Sequence, residues 1–166
     1  MKRYPVFLIL IITLFWVGCV EEEDINVQSL IGNWENSVYM ENQGVNQVDA
    51  YGFDESGRYF RYIYFKDPES NQTLGYAMYL VGNYILEGNE LVLEEERRLL
   101  NLGVNLFEEI EGLSEVEVIE KTTLGLAFKS NRQILEITKT CSPLLSSICI
   151  PVTSYNRKEY VLFSPL

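Results

Sequence analysis

The chain contains no histidine. That removes the commonest general base, the serine–histidine triads and the commonest metal ligand. Glycine-rich phosphate-cradling loops are missing too. Basic residues are scarce: 13 Lys and Arg stand against 24 Asp and Glu, a net charge of −11. So acidic a chain repels nucleic acid and anionic lipid surfaces, and nucleic acid is excluded as a partner. No apolar run reaches the roughly 20 residues that cross a bilayer. The run Val6–Val17 has 12 and is interrupted by Thr13. There is no fixed-period repeat, long helix, βαβ alternation or low-complexity tract. Cysteine is sparse, with only Cys19, Cys141 and Cys149. No zinc site or other cofactor is expected from such a set.

What is present begins with Lys2 and Arg3, then the apolar run, then Trp16-Val17-Gly18-Cys19 and the acidic stretch Glu21-Glu22-Glu23-Asp24. A positive start, an apolar centre and a small residue before a cut make the secretory pattern. This segment resembles a bacterial lipoprotein signal peptide, with Trp16 standing where that family usually has an aliphatic residue. The resemblance implies cleavage before Cys19 and lipid on Cys19. Each buried CH₂ of such a lipid contributes roughly 0.8 kcal/mol, and two or more chains hold a protein stably. The expected organisation is a leader over 1–18, an acidic tether over 19–29 and one folded domain over 30–166. The expected location is the bacterial outer membrane, lipid-anchored, on the periplasmic side or at the cell surface. Loss of Lys2 and Arg3 with the leader leaves 11 basic residues against 24 acidic ones, a net of −13. The acidic run is either a solvated linker or a stretch resembling a surface-display signal.

With Cys19 assigned to lipid, Cys141 and Cys149 form an even pair in an exported chain. An oxidising compartment makes a disulfide the expectation. Closing so short a loop stabilises by roughly 2–3 kcal/mol. The alternative is a redox pair, which usually uses Cys-x-x-Cys beside a cation.

Alternation of apolar and polar residues marks strands from Trp34, over Val48–Phe53, Arg58–Phe65, Leu74–Leu86 with a bend at Gly82, and Leu91–Glu96. Asp54-Glu55-Ser56-Gly57 is a hairpin turn with Gly57 at positive φ. Over 97–113 the spacing of Leu99, Leu102, Leu106, Ile110 and Leu113 suits a helical face, and a short helix is expected near Asn105–Glu111, against a strand with a bulged loop. Strands return at Glu115–Glu120, Leu124–Lys129 and Ile134–Thr140, and Lys158–Phe163 closes the chain. The pattern predicts an all-β antiparallel meander of about 8–10 strands, with at most one short helix, that closes into a barrel.

Three stretches carry a resemblance. They are Gly32-Asn33-Trp34, the hairpin from Tyr51-Gly52-Phe53 to Arg58-Tyr59, and the hairpin from Gly82-Asn83-Tyr84-Ile85 to Leu91-Val92-Leu93. Together, over residues 30–95, they resemble the bacterial lipocalin-like lipoproteins. The resemblance implies a lipocalin-like barrel whose closed end is filled by Trp34, with Gly32 letting the backbone pass close by. It further implies an arginine near the last strand packed on that tryptophan. Arg157 either does this or belongs to a solvated turn at 155–158.

The aromatic strand raises the functional question. Phe60, Tyr62 and Tyr64 point one way; Tyr59, Ile63 and Phe65 point the other, around Arg61. A solvent-facing meander strand should be polar on one side. Tyr76, Met78 and Leu80 against Ala77, Tyr79 and Val81 repeat the anomaly. Either an outer element covers one face, or that face lines a cavity or an interface. The candidate ligand residues are Tyr59, Arg61, Tyr76 and Tyr79, or the stripe Phe60, Tyr62 and Tyr64. Arg61 in a cavity would favour an anionic group on the ligand. The acidic clusters Glu94-Glu95-Glu96 and Glu108-Glu109 with Glu111 read as solvated, ion-paired faces, and no enzymatic role is expected. The expected function is a membrane-anchored, non-enzymatic binding module for a small apolar or amphipathic ligand. The alternative is a filled barrel serving as an accessory or structural subunit of an outer-membrane complex, with an envelope protein as partner.

Overall fold

A computed structural model describes residues 25–117, 120–139 and 151–159 of the chain. The expected leader, Cys19, Cys141 and Cys149 lie outside the described residues. A four-residue helix, α1 (Val27–Leu30), precedes nine strands. These are β1 (Gly32–Met40), β2 (Val45–Phe53), β3 (Arg58–Lys66), β4 (Thr73–Glu87), β5 (Glu90–Leu100), β6 (Ser114–Val116), β7 (Lys121–Lys129), β8 (Ile134–Thr138) and β9 (Val152–Lys158). Every pairing is antiparallel. β1 pairs with both β2 and β9, and β5 with both β4 and β7, so eight strands close into a ring with β6 added beside β5. Closure leaves the eight without a free edge. The all-β meander and its strand number agree with the sequence expectation.

One end of the ring is plugged. Asn26 caps α1, its side chain accepting from the Ser29 backbone N–H at 2.9 Å. Leu30 is fully buried and Ile25 packs against the inner core. The folded part therefore begins inside the stretch expected as tether, because these apolar side chains fill the ring's end. The Trp34 indole N–H donates to the Leu30 carbonyl at 2.8 Å. The Arg157 guanidinium lies 5.2 Å from the Trp34 ring and donates to the Ile31 carbonyl at 2.9 Å. Residues 155–157 are thus part of a strand, not a solvated turn. The last strand is also earlier than expected: β9 spans Val152–Lys158, and the stretch expected as strand, 158–163, falls mostly beyond the described residues.

At the 54–57 turn, the Asp54 carboxylate accepts from the backbone N–H groups of Ser56 and Arg58, and Gly57 sits at φ 85°. The bend expected in β4 is a register shift between Val81 and Gly82. A Cβ at Gly82 would collide with the Glu94 carbonyl oxygen and approach Tyr59 Cε1 to 2.8 Å. Gly82→Ala is therefore expected to destabilise by about 1–3 kcal/mol, the range for overpacking. A chemical-denaturation curve with an unchanged midpoint would contradict it.

The helix expected near Asn105–Glu111 is absent. β5 continues to Leu100, and a loop follows with a single 3-10 turn at Ile110–Gly112. At its middle the loop's backbone bonds to β4: Glu108 N–H donates to the Tyr76 carbonyl at 3.0 Å, and Tyr76 N–H donates back at 2.7 Å. Those bonds displace the i to i−4 pattern a helix needs.

Candidate functional site

Each strand sends alternate side chains into the ring. Near the plugged end these are apolar: Trp34, Phe53, Tyr84, Leu91, Leu135 and Phe128 pack together. Towards the other end the same stripes turn polar by a single step. Phe53 and Tyr51 lead to Asp49, Tyr59 to Arg61, Leu91 and Leu93 to Glu95, Leu126 and Leu124 to Thr122, and Leu135 and Ile137 to Lys139. This polar layer bounds an open cavity of about 330 Å³ whose wall includes Tyr51, Tyr59, Arg61, Glu95, Arg98, Glu120, Thr122 and Lys139, with Met78, Leu80, Leu93 and Leu124 as its apolar part.

The charges are arranged in two groups. In the first, Arg61 donates to both Asp49 oxygens, at 3.0 and 2.9 Å, and the Tyr155 hydroxyl donates to Asp49 Oδ2 at 2.8 Å. The Arg61 guanidinium also lies 5.0 Å from the Tyr51 ring. Lys139 belongs to the same neighbourhood. Burial first, and then the like charge of Arg61, hold its ammonium below the ordinary lysine range, partly offset by Asp49. In the second group, Arg98 pairs with Glu95 and with Glu120, the latter at 3.1 Å. The hydrogen bond with Glu95 holds Arg98 above its ordinary value. Glu95 is only 8% exposed, and among the described residues nothing donates to its Oε2 or accepts from Arg98 Nε. Burial pushes the Tyr51 and Tyr59 phenols upward, so both stay neutral hydrogen-bonding groups at physiological pH.

The six candidate ligand residues separate into two environments. Tyr59 and Arg61 line the cavity. Tyr62, Tyr64, Tyr76 and Tyr79 lie on the outside of the ring, in a second core with Val48, Ala50, Val81 and Leu99. The stripe grouping Tyr76 and Tyr79 with Tyr59 and Arg61 is corrected on this point. Tyr79 alternates with the inward Leu80, and an irregularity in the β3–β4 register sets Tyr76 opposite Tyr64. The outer face is covered, though not by the expected helix: Ile110 of the 3-10 turn and Leu113 pack onto it. The Tyr64 hydroxyl is tied down as well, donating at 2.6 Å to the buried Glu35, whose other oxygen lies 3.9 Å from Lys66 Nζ and 3.7 Å from Lys158 Nζ. Gly32 and Trp34 sit at the plugged end.

The acidic cluster of β5 also divides. Glu94 pairs with Lys121 and Glu96 with Arg58 on the solvated face, as expected. Glu95 does not; it points inward. Strand parity was the available signal, because Glu95 follows the inward Leu91 and Leu93 at the same two-residue step. The same parity identifies Asp49 and Lys139, neither of which stands out as a type in sequence.

Compared with known proteins, the chain matches no family model, and neither a curated protein nor a solved structure matches it at a significant level.

Proposed function

We propose that this protein is a non-enzymatic, lipocalin-like binding module, held in the bacterial outer membrane by lipid on Cys19, that takes a small ligand into the open end of its ring. The observation that carries this reading is the cavity of about 330 Å³, where apolar walls meet a layer of charged side chains. Its size lies at the low end of the roughly 300–1,000 Å³ typical of ligand sites, which favours a small molecule over a long-chain lipid. The Trp34–Arg157 contact supports the lipocalin-like assignment.

A second reading has its own observation. Leu102, Val104 and Leu106 of the 101–113 loop are 66%, 104% and 39% exposed. The loop is nonetheless internally bonded, with Asn101 Nδ2 donating to the Asn105 carbonyl and Asn105 Nδ2 to Glu108 Oε1. An ordered loop presenting three aliphatic side chains suits an accessory subunit docking on an envelope protein.

Native mass spectrometry of the protein extracted from its own host's membranes separates the two. A co-purifying small molecule supports ligand carriage. A clean unliganded mass, together with one envelope protein cross-linked through position 104, favours docking instead. The anchor is tested separately: Cys19→Ser is expected to move the protein from the membrane pellet to the soluble fraction, and continued attachment would refute lipidation there.

A further inference from the structure

The cavity holds two patches of opposite net charge. On β5 and just before β7, the single cation Arg98 is shared by two carboxylates, Glu95 and Glu120, leaving one negative charge in excess. Beside β2 and β3, the single carboxylate Asp49 is fully used by Arg61 and the Tyr155 hydroxyl. Lys139 lines the same cavity with no ion-pair partner among the described residues, leaving one positive charge in excess. The excess positive charge is the costly one, because Lys139 is half-buried and a partly buried charge needs a counter-charge; the excess negative charge lies with Glu120, which is exposed and stays hydrated. The rest of the lining is apolar or aromatic, with Met78, Leu80, Leu93, Leu124 and the rings of Tyr51 and Tyr59. The unpartnered Glu95 Oε2 adds a buried acceptor that lacks a donor.

We propose that the cavity is built for a small zwitterion: an anionic head at Lys139, an ammonium at Glu95 and Glu120, and an apolar or aromatic body against Met78, Leu80 and the two tyrosines. An amino acid or dipeptide with an apolar side chain has this chemistry and this size. The inference rests on the reading of the cavity as a ligand site. It changes the ligand expected from sequence, because Arg61, the residue that suggested an anion, is already neutralised by Asp49. The cation left for a ligand is Lys139.

Lys139 carries a further signature. Its charge opposes burial and the like charge of Arg61. A residue kept for binding and not for stability should improve the empty protein when its charge is removed. Lys139→Met is thus expected to hold or raise Tm in the absence of ligand while weakening the ligand.

The test is calorimetric titration of the full chain with three matched compounds: phenylalanine, 3-phenylpropionate, which lacks the ammonium, and 2-phenylethylamine, which lacks the carboxylate. Phenylalanine should bind, and each one-headed analogue should bind about tenfold or more weakly, as loss of a charge-assisted contact implies. Lys139→Met should reduce phenylalanine to the level of 2-phenylethylamine and leave 2-phenylethylamine unchanged. Glu95→Gln should do the converse, weakening phenylalanine and sparing 3-phenylpropionate. Equal binding of 3-phenylpropionate and phenylalanine overturns the zwitterion in favour of a plain anion. Absence of heat with all three, from protein whose native mass shows no bound molecule, overturns it outright. A co-purified ligand without both charges also overturns it, yet leaves the binding-module reading standing; a cross-linked envelope partner and an empty cavity defeat both.

Discussion

Trp34→Ala is expected to destabilise the protein by about 3–5 kcal/mol, the cost of emptying a buried aromatic site, and to lower Tm by on the order of 10 °C. Trp34 is fully buried and is bound in three directions. Its indole N–H satisfies the Leu30 carbonyl at the end of α1. Its face carries the Arg157 guanidinium, which in turn satisfies the Ile31 carbonyl. Phe128 of β7 lies 5.6 Å from it, from the far side of the ring. Removing the indole therefore opens a cavity, orphans a buried carbonyl and releases the cation that pins the start of β1. Trp34→Phe separates these effects, because it keeps much of the volume but loses the N–H. Denaturant unfolding followed by tyrosine fluorescence or far-ultraviolet circular dichroism measures both variants. A loss under about 1 kcal/mol for the alanine variant would mean that the plug is not what closes this end.

Asp49→Ala carries the second large effect, expected at about 2–4 kcal/mol. Truncating one partner of a buried pair costs about 3–5 kcal/mol, and here both side chains remain about a fifth exposed, which screens part of it. Asp49 is the acceptor on which β2, β3 and β9 converge, through Arg61 and Tyr155. Its loss leaves Arg61 and Lys139 as two cations in one cavity wall without a counter-charge. The decisive comparison is the double variant Asp49→Ala with Arg61→Met. If the cost comes from the stranded charge, the second substitution recovers much of the stability lost to the first. Additive losses in the double-mutant cycle would show that the ion pair is not the source. Tyr155→Phe should cost less, about 1 kcal/mol, since it removes one hydrogen bond and leaves the pair intact.

Much of the strand pattern was legible because it is local. Alternation in Arg58–Lys66 and the Asp54-to-Gly57 turn depend on side-chain period and backbone φ, which neighbouring residues dictate. The expected helix near Asn105–Glu111 failed for the opposite reason. Its apolar spacing is real, but Leu99 belongs to β5, Leu102 and Leu106 face solvent, and Ile110 and Leu113 cover the outer tyrosines. A non-local bond between Glu108 and Tyr76 decided that backbone. The site was half legible. Tyr59 and Arg61 were singled out on a strand with two apolar faces, yet the four remaining tyrosines serve an outer core. In sequence Glu94-Glu95-Glu96 reads as one solvated, ion-paired face; the fold turns Glu95 into the cavity beside Leu93.

By itself, the sequence determined the all-β class, the positions of the turns, the strongly acidic balance and the exclusion of histidine chemistry. Each is a property of composition or of residues a few positions apart. Only the tertiary structure decided which of two apolar faces is inside. Only ring closure brings Lys139 of the β8 end beside Arg61 of β3, and only the pairing of β5 with β7 sets Glu120 beside Arg98 and Glu95. Charge balance in a cavity is a sum over residues distant in the chain and adjacent only after folding. It therefore cannot be read from any one stretch.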